Sequence, residues 1–174
     1  MKRITLIIIA MLLSVATFAQ TTFDTDFTQT KVMKISGKTT PKEGHLTFDG
    51  NDQLNMTYSV PKGDYFIIEG NKVKINLDGK KADLDAEKVK TVQLQRSTLL
   101  NCLSGNWEQA AEDNNADVTV TEEDGLKTVS IVARGKVPRG GYNSVLLTYR
   151  LSDGVLVEMV LEESIGIINT YKLK

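Results

Sequence analysis

Between Gln53 and Val60 the chain alternates without a slip: Leu54, Met56, Tyr58 and Val60 fall on one side, and Gln53, Asn55, Thr57 and Ser59 on the other. Only a backbone with a two-residue repeat keeps such a pattern on one face, so the segment predicts a half-buried antiparallel strand. Comparable strands are expected at 46–48, Tyr65–Glu69, Lys72–Leu77, 127–134, 143–151, 155–162 and 166–173. The breaks between them carry turn chemistry. Asp49-Gly50, Asp78-Gly79, Asp124-Gly125 and Asp153-Gly154 each supply a residue that accepts positive φ, and Gly70-Asn71, Pro61-Lys62-Gly63 and Arg139-Gly140-Gly141 add further turns. Regularly spaced strands with short turns imply a meander of hairpins, so the expected class is mostly β, with antiparallel pairing throughout.

One stretch, residues 85–114, breaks the pattern. Ser97 is a suitable N-cap, Leu99, Leu100 and Leu103 share a helical face, and Gly105 can end the turn. Asn106 can cap a second short helix over residues 107–112, beginning at Trp107. Residues 87–95 fit neither period. An amphipathic insert beside a curved sheet must bury its leucine face, and the concave side of the sheet is the expected place.

The first residues bear on the compartment. Met1-Lys2-Arg3 is basic, residues 4–15 are almost unbroken apolar, and Ala16-Thr17-Phe18-Ala19 offers small residues where a signal peptidase reads. That is the layout of a secretory signal peptide, and the apolar run is short for a membrane span. We therefore expect residues 1–19 to be removed, residues 20–174 to form one domain, and the mature protein to reside in the periplasm. No cysteine lies near that junction, so a lipid anchor on the mature chain is not expected. Cleavage takes the formal charge from −1 to −3, because Lys2 and Arg3 leave with the signal. A mildly acidic chain without basic tracts makes nucleic acid an unsuitable partner.

The chemistry of catalysis has little to work with. His45 is the only histidine, and it opens a strand, where a surface role is expected. Cys102 is the only cysteine, so no internal disulfide can form, and a small buried apolar role suits it. Glu122-Glu123-Asp124 sits in an expected turn, and Glu162 and Glu163 alternate across a strand, so neither group is a positioned acid–base pair. Phosphate loops and nucleophile elbows are absent from the sequence. We expect no enzyme, no cofactor and no metal.

The order of several weak motifs resembles the LolA family of outer-membrane lipoprotein carriers. Phe27-Thr28-Gln29-Thr30 is similar to the start of that family's first strand. Gly44 and Leu46 followed by Pro61 keep its spacing, and Ile67, Ile68, Gly70 and Lys72-Val73 resemble its next hairpin. Asp153-Gly154 and Tyr171-Lys172-Leu173 match its last strands. The resemblance implies an open, strongly curved antiparallel half-barrel with a helical lid. Its apolar interior would take the acyl chains of a lipoprotein, loaded by an inner-membrane transporter and released to an outer-membrane acceptor, with the carrier acting as a monomer. On that reading Leu54, Met56, Tyr58, Ile67, Val73 and Ile75 would line the cavity, and Leu99, Leu100, Leu103 and Trp107 would form the lid. The chain also departs from the family. Two concave-face aromatics of the family's second strand are replaced by Leu54 and Met56, the lid-holding arginine falls at Gly50, and the family's first helix has no counterpart before Phe27. Arg134, Arg139 and Arg150 are candidate substitutes for that arginine, and residues 20–26 are candidates to cover a sheet edge. Two other readings stay open: a carrier of another lipid, such as a glycolipid or pigment intermediate in a dedicated export pathway, and a lipid-sensing module on the same fold.

Overall fold

The computed structural model describes residues 22–174; the expected signal peptide, residues 1–19, lies outside the described residues. Eleven strands form one sheet. In chain order they are β1 (Phe23–Met33), β2 (Lys38–Phe48), β3 (Gln53–Val60), β4 (Tyr65–Glu69), β5 (Lys72–Leu77) and β6 (Lys80–Asp85), then β7 (Ala116–Glu123), β8 (Leu126–Ala133), β9 (Tyr142–Arg150), β10 (Leu156–Glu163) and β11 (Ile167–Leu173). Helices α1 (Lys90–Leu103) and α2 (Trp107–Asp113) separate the two groups. The sheet is curved and does not close into a barrel.

The meander expected from the turns is in fact two meanders joined at their centre. The spatial order is β6-β5-β4-β3-β2-β1-β11-β10-β9-β8-β7. Within each half every strand pairs with its sequence neighbour, and the halves meet where β1 pairs antiparallel with β11, from Phe27 opposite Leu173 to Met33 opposite Ile167. The free edges are therefore β6 and β7, and the segment joining them contains both helices. Such a connection must travel from one rim of the curved sheet to the other, so the topology itself lays the helices across the opening.

Turn chemistry sets the registers. Asp78 and Gly79 link β5 to β6 with φ of 54° and 76°, and Asp124 and Gly125 link β7 to β8 with φ of 51° and 76°. Two consecutive positive φ values make the tight hairpin turn whose twist matches that of the flanking strands. With the registers fixed, alternate residues of every strand point inward, and Phe27, Leu46, Leu54, Ile68, Leu147 and Met159 are almost fully buried.

The central seam is aromatic. Phe27 meets Tyr58 edge-on at 5.3 Å between ring centroids and Tyr171 at 5.8 Å. Gly44 lies opposite Phe27 and makes room for its ring. A Cβ at Gly44 would stand 2.3 Å from the Thr57 carbonyl oxygen and 2.7 Å from the Phe27 ring. The pairing of β2 with β3 also slips by a bulge between Glu43 and Gly44, a device that bends a strand locally.

Several boundaries differ from the sequence expectation. β1 begins at Phe23, four residues before the Phe27 start implied by the family resemblance, and β2 extends back to Lys38 rather than beginning at 46. Leu54 and Met56 sit on the third strand, not the second. Phe23 to Asp26 pair with β2 in the middle of the sheet, so they cover no edge. β6 and β7 were not expected. Both are edge strands bearing many charges (Lys80, Lys81, Asp83, Asp85, Asp117, Glu122 and Glu123), which protects an edge from pairing but hides the apolar alternation. Helix α1 starts at Lys90 within the stretch that fitted neither period, and Ser97 lies in mid-helix, its hydroxyl bonded to Asp113 rather than capping. Asn106 does precede α2, without a side-chain cap bond.

If Gly44 is kept for the Phe27 ring and the Thr57 carbonyl, Gly44→Val should lower unfolding stability by about 1–3 kcal/mol through overpacking, read as a fall in the urea midpoint. An unchanged midpoint would show that β2 has room there after all.

Candidate functional site

The inward side chains and α1 enclose a cavity of about 190 Å³. Its apolar wall comes from the β2–β5 side through Leu46, Leu54, Met56, Phe66, Ile75 and Leu77, and from β10 through Met159 and Leu161. Leu99 and Leu103 of α1 close it from above, with Gln95 beside them. Of the expected cavity residues, Leu54, Met56, Tyr58 and Ile75 stand on this wall. Val73 is buried but lies in the adjoining core. Ile67 is misplaced by the sequence reading. It sits opposite Asn55 and Lys74 on the convex face, because in β4 it is Phe66 and Ile68 that share the inward parity with Met56 and Leu54.

The expected lid divides in the same way. Leu99 and Leu103 face the cavity, whereas Leu100 is buried without reaching it. Trp107 is an anchor rather than a wall. Its indole N–H donates to the Tyr149 hydroxyl at 3.0 Å, and the rings lie 5.5 Å apart. The Tyr149 hydroxyl in turn donates to the Cys102 carbonyl at 3.4 Å, so the junction of α1 and α2 is tied to β9. The Lys127 ammonium lies 4.6 Å over the Trp107 ring. Between the helices, Asn114 donates to the Thr98 hydroxyl at 2.7 Å and Thr98 donates to the Leu94 carbonyl at 2.8 Å, which ties the end of α2 to α1.

At its other face α1 is held by arginine, but not by any of the three expected substitutes. Arg134 pairs with Asp117 and Arg150 with Asp153. It is Arg96, on α1 itself, whose Nε donates to the Gly70 carbonyl in the turn between β4 and β5 at 2.5 Å. The loop between β8 and β9 packs on the same helix from across the opening, with Gly140 close to Thr91 and Gly141 close to Leu94. Helix α1 thus bridges both arms of the sheet.

The floor of the cavity is polar, which the sequence did not reveal. Gln29, Lys31, Lys42, Asp78, Glu163 and Asn169 all line it. Lys42, on an inward position of β2, is 3% exposed and bonds to Asp64 at 2.9 Å and Asp78 at 2.7 Å. Burial alone would lower the Lys42 ammonium, but the hydrogen bonds to Asp78 and Asp64 outweigh it and hold the group above its ordinary pKa. Asp78 also accepts from Lys31 at 2.8 Å, and the Lys31 and Lys42 contacts draw its carboxyl down to about 2. A hairpin-turn residue therefore also closes an ionic cluster at the cavity rim. On the far side, burial raises the Glu163 carboxyl, against a hydrogen bond from Asn169. Burial likewise raises the phenols of Tyr58, Tyr142 and Tyr171, so all three remain neutral at physiological pH.

The remaining reactive groups are elsewhere. His45 is on the convex face between Asp24 and Asp26, at 2.9 and 2.8 Å, and the hydrogen bond to Asp26 raises its pKa. Cys102 is fully buried, and burial pushes its thiol up to about 12, so it presents no thiolate. Among the described residues no group of acidic, histidine or cysteine side chains is placed to hold a metal ion, and no helix is long and apolar enough to cross a membrane.

The fold is a curved antiparallel sheet crossed by helices over a cavity with an apolar wall and a polar floor. The family model "Outer membrane lipoprotein carrier protein LolA" matches residues 19–174. The chain belongs to the LolA family. Among solved structures it is similar to a LolA superfamily protein from Nitrosomonas europaea, with 10% identity over 89% of this chain and 84% of that one and a TM-score of 0.39. It is also similar to the Pseudomonas aeruginosa MucA/MucB complex, at 13% identity and a TM-score of 0.41, with 86% of this chain covering 50% of the matched one. The Mycobacterium tuberculosis lipoprotein LppX is similar at 12% identity and a TM-score of 0.29, over 87% of this chain and 85% of that one. No curated protein matches the sequence.

The bond from Arg96 to Gly70 predicts a measurable looseness on its removal. Arg96→Met should raise amide exchange in Lys90–Leu103 by about tenfold, the loss of one charge-assisted bond, while β1 to β3 keep their protection in hydrogen-exchange mass spectrometry. Unaltered exchange would mean that packing alone holds α1.

Proposed function

We propose that this LolA-family protein is a periplasmic carrier that shelters the acyl chains of a lipoprotein in the cavity beneath α1 and takes them towards the outer membrane. The observation that carries this reading is the covered cavity itself: an apolar wall on the concave face, closed by a helix that is packed and hydrogen-bonded across the opening rather than built into the sheet. Each methylene moved from water onto Leu54, Met56, Leu99 and Leu103 gains about 0.8 kcal/mol, so affinity grows with chain length while the attached protein remains outside. Met56 and Met159 suit irregular apolar chains because thioether side chains adapt their shape.

A cavity of about 190 Å³ is smaller than the roughly 300–1,000 Å³ of pockets that enclose drug-sized ligands. Full loading therefore requires α1 to move away from the sheet. Its attachments suit such a motion. The Trp107–Tyr149–Cys102 contact holds the junction with α2, whereas the Arg96 contact near the middle of α1 is a single hydrogen bond. In this reading an inner-membrane transporter loads the carrier and an outer-membrane acceptor unloads it, each by favouring one position of α1. The polar floor favours a second reading, in which the cargo is another lipid whose polar end enters the cavity.

The two faces of the sheet supply a test. Affinity for a fluorescent fatty-acid methyl ester should be reduced at least tenfold in Met56→Asp and in Leu99→Asp, because a charge on the wall would have to be buried beside the acyl chain. Ile67→Asp, on the convex face, should bind as the unaltered protein does. Equal binding by all three variants would place the lipid outside the cavity and count against the carrier.

A further inference from the structure

The floor of the cavity holds a chain of three polar side chains whose last member is left unfinished. The Glu163 carboxylate accepts from the Asn169 amide nitrogen at 2.8 Å. Asn169 Oδ1 then accepts from Gln29 Nε2, also at 2.8 Å. Gln29 Oε1 has no hydrogen-bond partner, although Gln29 is only 5% exposed and lines the cavity. With Glu163 ionised the orientation is not free to reverse. Turning Gln29 alone would bring two carbonyl oxygens together, and turning both amides would set the Asn169 oxygen against the Glu163 carboxylate. An ionised Glu163 therefore presents the Gln29 carbonyl, an acceptor, to the cavity. A buried acceptor left unmade is costly, and such groups call for an explanation.

The other polar groups of the floor do not compete for this role. The Lys42 ammonium is taken up by Asp64 and Asp78, and the Lys31 ammonium is bonded to Asp78. The floor is thus neutralised where it is cationic, holds a carboxyl at Glu163, and is open as an acceptor at Gln29. At this end of the floor an acyl ligand with a free carboxylate would meet the Glu163 carboxyl and the Gln29 carbonyl.

We propose that Gln29 Oε1, oriented by Asn169 and Glu163, is a hydrogen-bond acceptor subsite for a neutral N–H or O–H donor at the polar end of an acyl ligand. The amide N–H of an N-acyl group and the hydroxyl of a fatty alcohol or glycolipid share this chemistry. The inference rests on the carrier reading, since it assigns the polar end of a ligand whose chain lies on the apolar wall. Asn169 and Glu163 are positioning residues and need not touch the ligand.

Decanamide and methyl decanoate share a ten-carbon acyl chain, and only the amide carries a donor. Calorimetric titration of the unaltered protein should find decanamide bound about three- to tenfold tighter, the worth of one net hydrogen bond. The double substitution Gln29→Met with Asn169→Leu removes both amides. It should abolish the preference, so that the two probes bind alike. The ¹³C shift of the Gln29 side-chain carbonyl should move with decanamide and not with the ester, a readout that needs no variant. Equal affinity for the two probes in the unaltered protein, a still carbonyl shift, or a preference that survives the double substitution would each overturn the subsite and leave the carrier reading standing. Binding of neither probe would instead remove the carrier reading on which the subsite depends.

Discussion

The pairing of β1 with β11 is the constraint on which the rest of the structure depends. It joins two local meanders at their centre, through residues nearly the full chain apart (Phe27 with Leu173, Met33 with Ile167). Once the first and last strands are neighbours, the middle of the chain has to connect the two outer edges. A sheet without curvature would leave that connection exposed. In a curved sheet it shortens into a crossing over the concave face, and an amphipathic helix is the element that can bury one side there while showing the other to water. The cover over the cavity is thus a consequence of strand order, and the Leu99 and Leu103 contacts follow from it.

The seam also sets what lies beneath the cover. Gln29 and Lys31 of β1, Lys42 of β2, Glu163 of β10 and Asn169 of β11 all occupy inward positions close to the join. Here a carrier-like fold departs from a purely greasy interior. Breaking a buried ion pair by removing one partner is expensive, so the Lys42 cluster is held together as a unit, with Asp78 supplied by a hairpin turn and Asp64 by the approach to β4. The apolar wall comes from β2–β5, β10 and α1 and the polar floor from the strands around the seam, with β2 and β10 contributing to both. A ligand spanning both would place its chain on one and its polar end on the other.

How much of this could be read from the residues depended on whether the signal was local. β3 was legible because Leu54, Met56 and Tyr58 alternate cleanly with exposed polar residues, and the Asp-Gly turns were legible because positive φ favours so few residue types. β1 was not readable by alternation, since its inward positions after Phe27 are Gln29 and Lys31, polar residues that only Asn169 on β11 and Asp78 in the β5–β6 turn make tolerable. β6 and β7 were hidden by the charges that protect their edges. Ile67 was assigned to the wrong face because β4 reads Tyr-Phe-Ile-Ile-Glu, an apolar run without a phase, and only its register with β3 decides which residues point inward. Arg96 escaped notice because its partner is a backbone carbonyl of Gly70, which leaves no trace in sequence. The cavity floor is the extreme case: the Gln29–Asn169 bond joins β1 to β11, and Lys31 and Lys42 reach Asp78 in the turn after β5, neighbours that sequence alone does not place side by side.

The central claim is that the space under α1 holds acyl chains in the living cell. It is tested most directly by native mass spectrometry of the protein isolated gently from the periplasm, with any released ligand identified by fragmentation. The account predicts a bound acylated species, with the mass of the complex falling to that of the free protein when the ligand is dissociated. A protein that emerges free of ligand, and that takes up no lipid when incubated with acylated peptide, would contradict it.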